Sequence, residues 1–347
     1  MGLRTYLKSF FSFSIGTWIG ALISFFTTPI VSYLIIPEEF GRASMFTLVY
    51  SILLTTCVLG LDQSFVRFYY EIPQEKRKSL FWESVSLPLV NSILASIILV
   101  IFQDSLSRLL FQSSYPNVGL LLSVSLLTGI LQTFNQLSIR MQKKGLMFSS
   151  IQIISSVSNV SFTILYAKFI SANFYAVIFG QICGNIVALL VGSVYDKASR
   201  SLSSVSYQNI KKYIRYGIPF LPTFLISWLF NSIDRISLRQ YSTFTEIGLY
   251  SAAFKLVSAM NLIQTGFTTF WSPLVYERYS NKPEDKEFYR KAFLGISLAM
   301  YLFGLTLIGL KDIIFLLFSK SYRDAAYIAP FLLFIPIMYT TSETTVV

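Results

Sequence analysis

The sequence predicts an all-α polytopic membrane protein, and three observations carry that expectation. Only 13% of the 347 residues are charged while 54% are hydrophobic, and the mean hydropathy is +0.59. A soluble chain carries about a quarter charged residues. Next, ten stretches, roughly 9–36, 43–65, 84–103, 117–139, 147–167, 173–195, 216–238, 247–271, 291–310 and 325–342, supply the ~20 mainly apolar residues that a spanning helix needs. Short polar loops separate them, with no Gly/Ser linker and no heptad run. The hydrocarbon core admits only helices or closed barrels, and runs this long read as helices.

The third observation is the one-sidedness of the 28 basic residues. The amino-terminal side and the even-numbered loops receive 19 of them, among them Lys76, Arg77, Lys78, Lys143, Lys144, Lys197, Arg200, Lys211, Lys212, Lys282, Arg290 and Lys291. Seven, including Arg42, Arg108, Arg239 and Lys320, fall on the other side, and Arg235 and Lys255 fall inside spans. This split places the N-terminus in the cytoplasm. It also explains a net charge of +11 by attraction to anionic lipid, without a nucleic-acid partner.

Absences narrow the chemistry. Without histidine there is no imidazole base and no ordinary zinc site, so no metal and no cofactor is expected. Cys57 and Cys183 sit in apolar runs with no short spacing and suit helix packing rather than a disulfide. The opening "MGLRTYLKSFF" lacks a cleavage site and reads as a retained first helix.

An internal repeat organises the rest. A gapless shift of 207 residues lays Glu39, Gly41 and Ser44 of "EEFGRAS" on Glu246, Gly248 and Ser251 of "TEIGLYS". It also lays "LLFQSSY" at 109–115 on "LLFSKSY" at 316–322. Each unit holds six helices, an even number, so the units enter the membrane in the same orientation, as parallel lobes related by an axis along the membrane normal. The expected division is 1–207 for a six-helix lobe and 208–347 for a second. A second unit of equal length would run to about residue 413, so the second lobe is expected to be incomplete after its fourth helix.

Charges inside spans nominate the site, because a charge near the bilayer centre costs on the order of 3 kcal/mol and marks a cavity or a partner. Asp234 and Arg235 in "SWLFNSIDRISLRQY" either face a cavity or anchor at the outer interface, and Asn231 extends their polar stripe. Lys255 either meets an anion in a cavity or snorkels outward. Asp62, near the inner end of the second helix, reads as an interfacial cap or an ion-coupling carboxylate. Glu39, Gly41, Glu246 and Gly248 read as structural turns, the acid favouring a helix N-terminus and glycine a tight entry. Pro219 and Pro222 lie early in the helix that carries the charge pair and are expected to kink it.

The segments "TTPIVSYLIIPEEFGRAS", "SIDRISLRQYSTFTEIGLYSAAFKL" and "LLFSKSYRDAAYIAPFLLF" resemble the Wzx-type oligosaccharide flippases, the polysaccharide-transporter branch of the MOP superfamily. The resemblance implies a MOP-type transporter fold, two lobes forming a V around a central cavity. It further implies a bacterial cytoplasmic-membrane protein that flips undecaprenyl-diphosphate-linked oligosaccharide by alternating access, coupled to a proton or Na+. The substrate would be a polyprenyl-diphosphate-linked oligosaccharide, and the chain would be no enzyme. A cation-coupled multidrug exporter of the same superfamily is the alternative, although Arg235 and Lys255 favour anionic cargo. A non-transporting partner of polysaccharide assembly is another.

Overall fold

The computed structural model of the chain describes residues 3–196, 205–281 and 286–344. Lys197, Arg200 and Lys282, counted above among the basic loop residues, lie outside the described residues. All regular structure among the described residues is helical. Ten long helices correspond to the ten expected spans: α1 (Leu3–Ser32), α2 (Pro37–Val58), α4 (Arg77–Ile101), α6 (Val118–Met141), α7 (Gly145–Phe169), α8 (Phe174–Tyr195), α10 (Leu221–Tyr241), α11 (Phe244–Asn281), α12 (Lys286–Leu316) and α13 (Ala325–Glu343). Among the described residues, eight helices are long and apolar enough to cross a membrane. Helices α1 and α11 both contribute residues to a cavity lining.

Three short helices refine the expected pattern. The second span breaks after Val58, where Leu59 and Gly60 adopt left-handed backbone (φ 53° and 72°), and α3 (Leu61–Phe68) follows as a separate amphipathic helix. Between the third and fourth spans lies α5 (Gln103–Phe111). The expected seventh span, from 216, is divided: α9 (Tyr207–Gly217) passes through a 3₁₀ turn, Ile218–Phe220, into α10. Pro219 and Pro222 lack the amide hydrogens that a continuous helix would need there.

The helices sort into two groups. In the first, α7 packs along α8 and α1, α6 bridges α8 and α4, and α2 runs beside α4, α6 and α8. Phe65, Phe81 and Phe134 meet edge to face in its interior, with ring centroids 6.2–6.3 Å apart. In the second group α11, α12 and α13 enclose Met260, Met300, Leu333 and Ile337.

Lipid is as apolar as leucine, so helices associate in it through close packing and small residues rather than through a hydrophobic effect. The seam between the groups, α2 against α11, follows that rule. A Cβ at Gly41 would lie 2.0 Å from the Phe244 carbonyl oxygen, and one at Gly248 would lie 1.9 Å from that of Pro37. Both contacts obey the 207-residue shift, and so does the hydrogen bond from Ser251 Oγ to Ser44 Oγ, 2.9 Å. Equivalent residues that touch each other in this reciprocal way lie beside a two-fold axis. The turn glycines therefore do more than admit the chain into a helix: they let two backbones meet.

Each face of the molecule joins the groups differently. On the basic face, α9 docks on α3 and α4. Glu83, 2% exposed, accepts from the Ser206 amide (3.1 Å), Asn209 Nδ2 (2.9 Å) and the Tyr213 hydroxyl (3.3 Å). Gly60 and Gly217 also approach closely, a Cβ at either lying 2.3 or 2.7 Å from the other's carbonyl oxygen, and Ser64 Oγ donates to the Tyr213 carbonyl at 2.7 Å. On the far face, the end of α1 meets the turn after α12: the Ser319 amide donates to Ser32 Oγ (2.9 Å) and the Tyr322 hydroxyl to the Ile35 carbonyl (2.8 Å). The repeat-equivalent place, the end of α10 against α5, holds an arginine: Arg239 donates from Nε to Leu110 O (2.7 Å) and from Nη2 to Leu109 O (2.9 Å).

Candidate functional site

A cavity of about 410 Å³ lies between the groups, walled by α1, α2, α7 and α8 on one side and α10 and α11 on the other. That volume falls within the ~300–1,000 Å³ of typical ligand pockets. Its walls alternate aliphatic side chains with hydroxyls and amides such as Ser24, Thr27, Thr47, Asn159 and Ser251. Two of its lining residues are charged, Arg235 and Lys255, and both are cations; no carboxylate joins them.

Helix geometry explains this placement. Asn231 and Arg235 are four residues apart on α10 and therefore share a face, and both line the cavity. Asp234, ~100° further round the helix, is exposed and does not line it. The adjacent charges thus part company. Asp234 accepts a hydrogen bond from the Tyr250 hydroxyl at 2.7 Å, which ties α10 to α11, while Arg235 turns inward with Nη2 on the Asn231 carbonyl at 3.2 Å. Arg235 lies six residues from the end of α10, ~9 Å, and Lys255 eleven residues into α11, ~16 Å. Lys255 reaches across to α1 and donates to Ser24 Oγ at 3.3 Å.

The other nominated residues lie elsewhere. Asp62 sits in the first turn of α3, outside the cavity lining, with Oδ2 accepting from Gln63 Nε2 at 2.7 Å. Glu39 pairs with Arg42 and accepts from the Phe174 amide (2.8 Å), fixing the start of α8. Its repeat partner Glu246 is exposed in the first turn of α11, where its amide donates to Thr243 Oγ1 at 3.3 Å. Gly41 and Gly248 form the seam. Sequence reasoning did not nominate Tyr250, Ser24 or Arg239. Tyr250 sits about one turn from Glu246 within an apolar run, and nothing local distinguishes it from an interfacial tyrosine.

Among the described residues, no group of three or more Cys, Asp or Glu could hold a metal ion. The site can instead bind an anion in a water-poor setting, through a planar guanidinium fork and a mobile ammonium.

Long helices in two groups around a polar cavity, joined by reciprocal small-residue contacts, define a membrane-transporter architecture. A family profile described as "Polysaccharide biosynthesis protein" matches residues 6–278, and the chain belongs to that family. No curated protein matches the chain in sequence. Among solved structures, the fold is similar to that of a lipid II flippase, MurJ, in an inward closed conformation, with a TM-score of 0.66, 16% identity, and 96% of this chain and 75% of that chain covered. It is also similar to an inward-facing multidrug resistance MATE family transporter of the MOP superfamily, with a TM-score of 0.65, 16% identity, and coverage of 97% and 84%. A third is a MOP superfamily transporter from Pyrococcus furiosus, described as having a binding pocket of reversed polarity, with a TM-score of 0.53, 14% identity, and coverage of 96% and 80%. At these identities the likeness establishes the fold.

Proposed function

We propose that the chain flips polyprenyl-diphosphate-linked oligosaccharide units across a bacterial cytoplasmic membrane, with its amino terminus in the cytoplasm. The observation that carries this reading is the charge of the cavity: Arg235 and Lys255 line it and no acid does. A cationic drug would meet repulsion there, whereas a diphosphate gains charge-assisted hydrogen bonds.

In the mechanism, the guanidinium fork of Arg235 takes two phosphate oxygens and the Lys255 ammonium a third. The hydroxyl and amide walls receive the first sugar. The polyprenyl tail stays in lipid, so the walls need to pass only the polar head. Membership of a polysaccharide biosynthesis family supports a sugar cargo. Uphill operation requires coupling, and a proton or Na+ entering against the cargo supplies it. We assign that role to Asp234, and its hydrogen bond from Tyr250, a cavity-lining residue, supports the assignment.

Expression in a strain that lacks its own polysaccharide flippase tests the proposal. Restored surface glycan is the expected result. Lipid-linked intermediate that stays inside, with the protein present in the membrane, overturns it.

A further inference from the structure

A second cavity, about 320 Å³, lies nearer the far face, lined by Glu38, Gln112, Arg239, Thr243 and Phe244 among others. It is joined to the first by one stripe of α10. Asn231, Arg235 and Arg239 follow at four-residue intervals, so the two arginine side chains leave one helix face from Cβ atoms roughly 6 Å apart. With Lys255 deeper, the cations form a ladder from the middle of the membrane to the far face. The carboxylate in the second cavity, Glu38, is paired with Arg42, which also holds Glu39.

Arg239 is also what holds the far face shut on this side. It donates to Leu110 O and Leu109 O, carbonyls of the last turn of α5, and its guanidinium sits 5.3 Å from the ring of Phe244. Arg42, from the other helix group, sits 5.2 Å from the same ring. A phosphate oxygen accepts a stronger hydrogen bond from a guanidinium than a neutral carbonyl does. We infer that Arg239 is a cargo-operated latch: a lipid diphosphate that moves up from Arg235 takes the Arg239 donors from the α5 carbonyls, occupies the second cavity, and so releases the far face.

This inference rests on the diphosphate reading above, and its test separates the two. In a protein with Cys57→Ala and Cys183→Ala, Thr47→Cys reports from within the first cavity, and Tyr241→Cys, at the exposed end of α10, marks the far side. Both are probed in proteoliposomes with a membrane-impermeant maleimide. With the latch intact and no ligand, Thr47→Cys is protected from the side that labels Tyr241→Cys. Arg239→Ala, and Arg239→Gln as the milder variant, raise that labelling about ten-fold or more through loss of two charge-assisted bonds. Undecaprenyl diphosphate raises it in the Arg239 protein, and undecaprenol does not. Inorganic pyrophosphate acting alone assigns the trigger to the phosphates, and failure of pyrophosphate assigns it to the lipid-borne group; either supports the latch. Binding of undecaprenyl diphosphate is followed separately by native mass spectrometry. Ligand that binds without changing the labelling, or Arg239 variants that label like the parent, overturn the latch and leave the diphosphate reading standing. Absence of binding overturns both.

Discussion

Helices α1 and α10 occupy equivalent places in the 207-residue repeat, yet they differ in chemistry throughout. Where α1 carries Ser24, Thr27, Thr28 and Ser32, α10 carries Asn231, Asp234, Arg235 and Arg239. The ends of both helices dock at the end of a distant helix, α1 through a serine hydroxyl on the turn after α12 and α10 through a guanidinium on the last turn of α5. Since hydroxyls suffice for the docking on one side, the architecture does not demand charge. Under the proposed function the cations belong to the cavity's task, and the fold tolerates them because one face of α10 meets polar space.

The largest break of this comparison comes at the part the two halves share. Gly41→Val forces a side chain into the Phe244 carbonyl and Gly248→Val into that of Pro37, each expected to destabilise by about 3 kcal/mol or more. Thermal unfolding followed by size exclusion reads the loss. Equal drops for the two variants sustain the reciprocity, and an unharmed Gly248→Val would end it. Gly295→Val, where a Cβ meets nothing within 4 Å, serves as the control and melts near the parent.

Next in size is the chemical difference between the helices. Arg235→Ala should weaken undecaprenyl diphosphate binding by about 2–3 kcal/mol, roughly 30- to 150-fold, with the protein still in the membrane. Thr28→Ala at the equivalent position should change binding no more than a few-fold. Similar losses from both would mean the cavity reads cargo by shape rather than by charge.

The basic face offers a third test, since a buried carboxylate closes it where serine and arginine contacts close the far face. Glu83→Ala orphans three donors at once, and the expected loss is about 1–3 kcal/mol, seen as faster amide exchange in α9 with α2 unchanged. Exchange that stays slow would show α9 to be held by Gly60–Gly217 packing alone. The smallest effect is expected of Tyr250→Phe, which removes one hydrogen bond worth about 1 kcal/mol. Asp234, released, then competes for Arg235, and binding should fall about five-fold while stability barely moves.

Much of the fold was legible because hydropathy has a long wavelength in a membrane. Spans near 20 residues announce themselves, and the repeat in "EEFGRAS" and "TEIGLYS" marked the very residues that meet at the seam. Breaks within spans were harder to read. Leu59 takes a left-handed backbone although its residue type gives no hint of it, and α5 lies in a stretch whose polarity resembles a loop. At the site, residue types exposed Arg235 and Lys255 as unusual, but one position along a helix turns a side chain by ~100°. Asp234 could therefore be told from Arg235 only by knowing which face of α10 meets α11. Arg239 was invisible for a different reason: a basic residue at a helix end on the membrane rim looks like an ordinary anchor, and its partners are backbone carbonyls 129 and 130 residues away.

The Ser44–Ser251 contact has a kinematic consequence. Two equivalent hydroxyls 2.9 Å apart lie at the seam where the two helix groups touch, and groups that rock about this contact keep these points together however far the rims travel. A rocking transporter should therefore accept a permanent link at this spot. Ser44→Cys with Ser251→Cys, oxidised to a disulfide, should leave glycan export running while a bridge between the far-face helix ends stops it, turning the seam into a hinge pin that can be locked without stalling the machine.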